Sequence, residues 1–159
     1  MQFNRVLVLV TGSPTDKAAV SHAVAMTREN RGRLIILYVI CVDRSLELDT
    51  EIPEEVEKAE EALSAAEAQA HLQRIVVEAE MLQAREIGSA VVHEAAVRDV
   101  DAVVLATRYP THNGKFDMGA DIPYILEYSA SNVVLVRESL DGAKPGSETA
   151  SGRSEQNGA

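Results

Sequence analysis

A chain of 159 residues with 46% hydrophobic content is long enough for one domain with one core, and too apolar for an intrinsically disordered protein. Only 4% of its residues are aromatic and none is Trp, so the core must be built from Val, Leu, Ile and Ala. A formal net charge of -10 sets the surface against nucleic acid and anionic membranes, while leaving room for a local basic patch that holds one small anion.

The single cysteine, Cys41, allows no internal disulfide and fits a reducing compartment. Its apolar surroundings mark it as a small buried hydrophobe. Val6 to Val10 is too short for the apolar core of a signal peptide, and no stretch reaches the length of a membrane span. The expectation is a soluble, cytoplasmic protein with no membrane insertion.

Arg5 to Val10 is a continuous β-branched and Leu run, the pattern of a strand buried on both faces. Thr11-Gly12-Ser13-Pro14 breaks it. Ser13 suits an N-cap, Pro14 the first helical position and Asp16 the first turn. The helix runs to about Asn30 with Val20, Ala23, Val24 and Thr27 on one stripe, and Arg31-Gly32-Arg33 stops it. A second buried strand spans Leu34 to Val42, and a loop spans Asp43 to Ile52.

Pro53 opens a long helix to about Gln73, with Val56, Ala59, Leu63, Ala66 and Ala70 facing inward and a glutamate-rich solvated face. Ile75 to Leu82 is a third strand. Glu78 and Glu80 alternate with apolar neighbours there, which predicts one wet face and an edge position. Glu86 to Asp99 is a helix, Asp101 to Ala106 a buried strand, Thr107 to Ala120 a long loop, Asp121 to Ala130 a short helix and Asn132 to Arg137 a fifth strand. The Gly- and Ser-rich segment after Glu138 has no apolar periodicity and is expected to be a disordered tail, leaving a domain of residues 1–138 and a tail of residues 139–159.

Strands alternate with helices throughout, which predicts a parallel sheet with helices on both faces. Ligands of such sheets bind beyond the carboxyl ends of the strands, where the strand order reverses. The Thr11–Pro14 turn and the Thr107–Ala120 loop are the two natural walls. Thr11, Gly12 and Ser13 lie between a strand and a helix N-terminus, where backbone N–H groups attract anions. Neither G-x-G-x-x-G nor G-x-x-x-x-G-K-[ST] is present. A flavodoxin-like Thr-Gly-x-Thr loop has one residue fewer than Thr11 to Thr15. The four histidines, His22, His71, His93 and His112, are not at metal-ligand spacing from one another or from Cys41, and no catalytic Ser/His/Asp set stands out. Three of them lie on separate predicted helices; His112 sits in the long loop, within reach of an anion.

The order of elements, Gly12-Ser13 after the first strand, Val100-Asp101-Ala102-Val103-Val104-Leu105 and Ser129-Ala130-Ser131-Asn132-Val133-Val134-Leu135-Val136 together resemble the universal stress protein family over residues 3–138. The resemblance implies an adenine nucleotide alpha hydrolase-like fold: five parallel strands in the order 3-2-1-4-5. Many members bind ATP or AMP through G-x2-G-x9-G-[ST] after the fourth strand. Ala106, Tyr109, Gly119 and Ala120 stand at those positions here, and Thr11 stands where an acidic residue often precedes Gly-Ser. Tyr109 obstructs the close approach that glycine permits, and Ala120 lacks the phosphate-binding hydroxyl.

The candidate ligand residues are Thr11, Gly12, Ser13, Val39, Thr107, Arg108, Gly114, Lys115 and Gly119, with Arg108, Asn113, Gly114 and Lys115 as partial replacements for the lost groups. ATP or AMP is expected to bind weakly or not at all. The alternative is a sensor of ATP, AMP or a cyclic nucleotide. The looser similarity of Tyr38-Val39-Ile40, Arg44 to Asp49 and Pro123 to Leu126 to members that accompany amino-acid permeases implies a transporter as partner. Asn132 to Arg137, guarded only by Arg137, is expected to pair across a two-fold axis in a non-enzymatic homodimer, unless the tail after Ser139 folds back over it.

Overall fold

The computed structural model describes residues 2–108 and 111–139. The segment from residue 140 onward, expected to be a disordered tail, lies outside the described residues, as do Tyr109 and Pro110. In chain order the elements are β1 (Arg5–Leu9), α1 (Asp16–Arg28), β2 (Arg33–Cys41), α2 (Pro53–His71), β3 (Val76–Ala84), α3 (Ile87–Val97), β4 (Ala102–Thr107), β5 (Thr111–His112), β6 (Lys115–Phe116), α4 (Asp121–Tyr128) and β7 (Asn132–Arg137).

Five strands form a parallel sheet in the order β3-β2-β1-β4-β7, the expected 3-2-1-4-5 arrangement of the principal strands. Alternate residues of each strand go to opposite cores. Val6, Val8, Leu34, Ile36, Tyr38 and Ile40 pack beneath α1 and α2. Leu7, Ile35, Leu37, Val39, Val103 and Leu105 pack beneath α3 and α4. The helices present the faces expected of them: Val20, Ala23, Val24 and Thr27 on α1, and Ala59, Leu63, Ala66 and Ala70 on α2. The buried Thr27 hydroxyl donates to the Ala23 carbonyl at 2.6 Å, so no polar group is left unsatisfied there.

The amino ends of the central strands are tied by Asp101. One carboxylate oxygen accepts from the N–H groups of Asn4 and Arg5 at 2.7 and 2.8 Å. The Asp101 backbone joins β1 and β7 through Asp101 N–H to Arg5 and Asn132 N–H to Asp101.

The third strand lies at an edge, as its Glu alternation predicts, but its charged face is not left to water. Arg98, at the end of α3, reaches Glu80 at 2.8 Å, Glu94 at 3.1 Å and Glu78 at 3.2 Å, and Arg33 adds a second contact to Glu78. A guanidinium can serve several carboxylates at once through its fork of donors. These bonds, that to Glu80 foremost, hold the Arg98 proton more tightly than usual.

Cys41 is exposed rather than buried. It is the last residue of β2, where the strand has run past β1 and the side chain is uncovered; its Sγ contacts the Arg85 carbonyl at 3.1 Å. The Thr107–Ala120 loop also departs from expectation. It contains a hairpin, β5–β6, turned by Asn113 and Gly114, both at positive φ (51° and 74°). That pair of dihedrals marks a type I′ turn, for which Asn-Gly is the preferred sequence.

Gly32 sets how closely α1's end approaches β1. A Cβ there would lie 2.6 Å from the Asn4 carbonyl oxygen and 2.9 Å from that of Phe3, both immobile backbone atoms. Gly32→Ala should therefore destabilise the protein by about 2 kcal/mol or more. Urea denaturation should show a lower midpoint at an unchanged slope; an unchanged midpoint would mean that the Phe3–Asn4 segment yields without cost.

Candidate ligand crevice at the carboxyl ends of the strands

β2 outruns β1. Their pairing ends at Leu9–Leu37, followed by one bond from Val10 N–H to the Leu37 carbonyl, whereas β2 stays paired with β3 as far as Cys41. The chain leaving β1 therefore turns across an open strand end, and that turn is the first wall of the crevice.

Ser13 does not cap α1. The helix starts at Asp16, with Thr15 before it. Pro14 instead occupies the second position of a turn closed by the Asp16 N–H on the Ser13 carbonyl at 3.0 Å, a place that its fixed φ favours. The Ser13 hydroxyl oxygen accepts from Thr15 N–H and from the Thr15 hydroxyl, at 3.3 and 3.1 Å.

The late start carries Asp16 back into the turn. One of its carboxylate oxygens accepts from Thr11 N–H at 2.9 Å and the Thr11 hydroxyl at 3.3 Å; the other accepts from Gly12 N–H at 2.8 Å. Gly12, at φ 77°, turns its N–H toward that carboxylate in a conformation that L side chains rarely adopt. The N–H groups of Thr11 and Gly12, read from sequence as free for an anion, are thus held by a carboxylate of the same chain. Burial pushes the Asp16 carboxyl above its ordinary range, and the bonds from Thr11 and Gly12 only partly pull it back.

Val39 is 6% exposed and its side chain packs beneath α3, away from the turn. Its backbone is better placed. The Leu37 carbonyl points toward β1, and by the two-residue period of a strand so do the N–H and C=O of Val39, beyond the point where β1 ends. The side chain that sequence reading missed is Tyr38. It lies on the α1–α2 face, with its hydroxyl 3.9 Å from where a Cβ on Gly12 would stand. The available signal was a single polar-tipped aromatic within an otherwise aliphatic strand.

On the second wall, Thr107 ends β4 and donates from its hydroxyl to the Arg108 carbonyl at 3.0 Å. The exposed Arg108 guanidinium lies 3.8 Å from Glu138, so its charge is shared with a neighbour. Gly114 and Lys115 are exposed on the hairpin. Gly119, at φ 72°, donates its N–H to Asp117 at 2.8 Å. Ala120 precedes α4 with no side-chain cap. The expected obstruction by Tyr109 falls outside the described residues, and nothing is described of the His112 side chain. His22, His71 and His93 are exposed on α1, α2 and α3.

Because the folded-state pKa of Asp16 is raised, the native protein binds more protons than the unfolded chain above about pH 4, and its stability falls as pH rises through the folded pKa. Asp16→Asn keeps one acceptor oxygen but removes the titration. Denaturation midpoints of variant and wild type, compared from about pH 4 to about pH 7, should move in the variant's favour as pH rises. A constant difference would show that Asp16 titrates as an ordinary carboxylate.

The model of the universal stress protein family matches residues 2–137. No curated protein is a match. Among solved structures, the chain is similar to a universal stress protein from Archaeoglobus fulgidus, at 16% identity and TM-score 0.71 over 86% of this chain and 100% of that one. It is similar to the universal stress protein from Archaeoglobus fulgidus in complex with dAMP, at 15% identity and TM-score 0.68 over the same shares. A family protein from Arabidopsis thaliana with AMP bound matches at 13% identity and TM-score 0.64, over 90% of this chain and 97% of that one. These likenesses show a shared fold, and the match over residues 2–137 shows that the chain belongs to the universal stress protein family.

Proposed function

We propose that this family member is a non-enzymatic regulatory protein of the stress response that acts as a homodimer and holds adenine nucleotides weakly or not at all. The observation that carries this reading is the Asp16 carboxylate on the N–H groups of Thr11 and Gly12. A phosphate approaching that turn meets a negative charge and finds the donors engaged. Across the crevice, Ala120 offers no hydroxyl and Arg108 is beside Glu138.

A second reading is a sensor of ATP, AMP or a cyclic nucleotide. The open Val39 backbone favours it, as do relatives of this fold with dAMP and AMP bound. In that case Thr11, Gly12, Ser13 and Val39 would form one side of the site, with Thr107, Arg108, Gly114, Lys115 and Gly119 on the other.

The dimer rests on β7. Among the described residues β7 has β4 on one side and no strand on the other, and Val133 to Val136 are all partly exposed. Open apolar edges invite pairing, which a second copy provides through a two-fold axis. The likeness to permease-associated members suggests a transporter as partner, and Leu46 and Leu48, exposed in the loop after β2, give that segment an apolar surface.

Calorimetric titration with Mg-ATP, AMP and a cyclic nucleotide should give dissociation constants weaker than about 1 μM, that is, less than about 8 kcal/mol of binding free energy. Submicromolar Mg-ATP binding would establish the sensor reading instead. Light scattering at about 30 μM, far above the dissociation constant of a stable dimer, should give a dimer for the wild type and a monomer for Val134→Lys. A monomeric wild type would refute the dimer, and a dimeric Val134→Lys would place the interface elsewhere.

A further inference from the structure

A groove of about 1140 Å³ runs between α1 and α2, on the sheet face opposite α3 and α4. Its size is slightly above the about 300–1,000 Å³ typical of small-molecule sites. Thr11, Gly12 and Asp16 form its head, and Tyr38 forms part of its floor there. Its body is lined by Ala62, Ala65, Ala66 and Leu72, the last 81% exposed. Among the described residues none of the fourth-strand loop lines it, whereas the first-wall turn does.

Tyr38 is 7% exposed, and among the described residues nothing hydrogen-bonds its hydroxyl. A phenol buried to that degree ordinarily has a partner. The oxygen is not sealed in, because no fully buried polar side-chain atom lacks a partner among the described residues. It therefore opens into the groove head. Burial, with Glu55 nearby, raises its pKa, so it stays protonated and able to donate.

The charges around the head cancel or are already engaged. Asp16 is held by Thr11 and Gly12, and Lys58 is 3.4 Å from Glu55. Lys17 and Glu61 on the rim are of opposite sign. A charged ligand head would meet both signs at once and lose its own hydration for little return.

We propose that the α1–α2 groove binds an uncharged amphipathic small molecule, an alcohol, phenol or ketone whose oxygen accepts from the Tyr38 hydroxyl while its apolar body lies along Ala62, Ala65, Ala66 and Leu72. The groove shares Thr11, Gly12 and Ser13 with the first wall of the crevice but takes its apolar body from α2, so a neutral ligand there does not require nucleotide binding.

The test uses the full-length protein, the neutral fluorescent probe N-phenylnaphthylamine and n-octanol as competitor. Octanol should displace the probe. Tyr38→Phe should weaken octanol about five- to tenfold and leave n-octane unchanged. Ala65→Phe, at an exposed position, should abolish binding of both while circular dichroism stays native. Failure of octanol to displace the probe would overturn the proposal, as would octanol binding that neither substitution changes. Tighter binding of octanoate or octylamine than of octanol would overturn the uncharged class.

Discussion

The central strand sets the terms for the rest of the molecule. Val6, Leu7 and Val8 of β1 have no exposed surface on either face, and the strand is paired on both edges. Such a strand needs apolar cover above and below, which forces helices onto both faces. Only its ends are open, so polar chemistry is confined to two rims. At the amino rim Asp101 gathers the N–H groups of Asn4 and Arg5 and links β1 to β7. At the carboxyl rim the chain must leave β1 beside a longer β2, and the turn it makes exposes two N–H groups that Asp16 then takes.

The sheet was legible because the principal strands are bounded by Gly, Pro or charged residues and the first, second and fourth are almost wholly aliphatic. Helix faces were legible from spacing alone, as Ala59, Leu63, Ala66 and Ala70 illustrate. What failed was local. Pro14 was assigned to the helix because Pro suits its first turn, but it suits a preceding β-turn equally, and the turn prevailed. Asn113-Gly114 was passed over because the strands it joins are only two residues each, too short for alternation to register. Cys41 was placed inside by its neighbours, although strand ends lose cover before strand centres do.

The candidate site divides in the same way. Gly12 was readable as a turn glycine and Gly119 as the glycine kept from the family's loop, though not that both take positive φ. The role of Asp16 was not, since a first-turn Asp usually means a favourable helix dipole, and only the three-dimensional turn shows its carboxylate reaching back. Nor did sequence separate the two uses of β2: the Val39 backbone faces the crevice while its side chain serves the opposite core, and Tyr38 faces the α1–α2 groove. Alternation supplies the distinction once it is known which face the turn crosses.

Asp16 already satisfies the amide donors of the first turn. Amide proton resonances of Thr11 and Gly12 test it directly. Both should shift together along the Asp16 titration as pH is lowered, and neither should move when Mg-ATP is added at neutral pH. Amides that ignore the Asp16 titration and shift on adding Mg-ATP would contradict it.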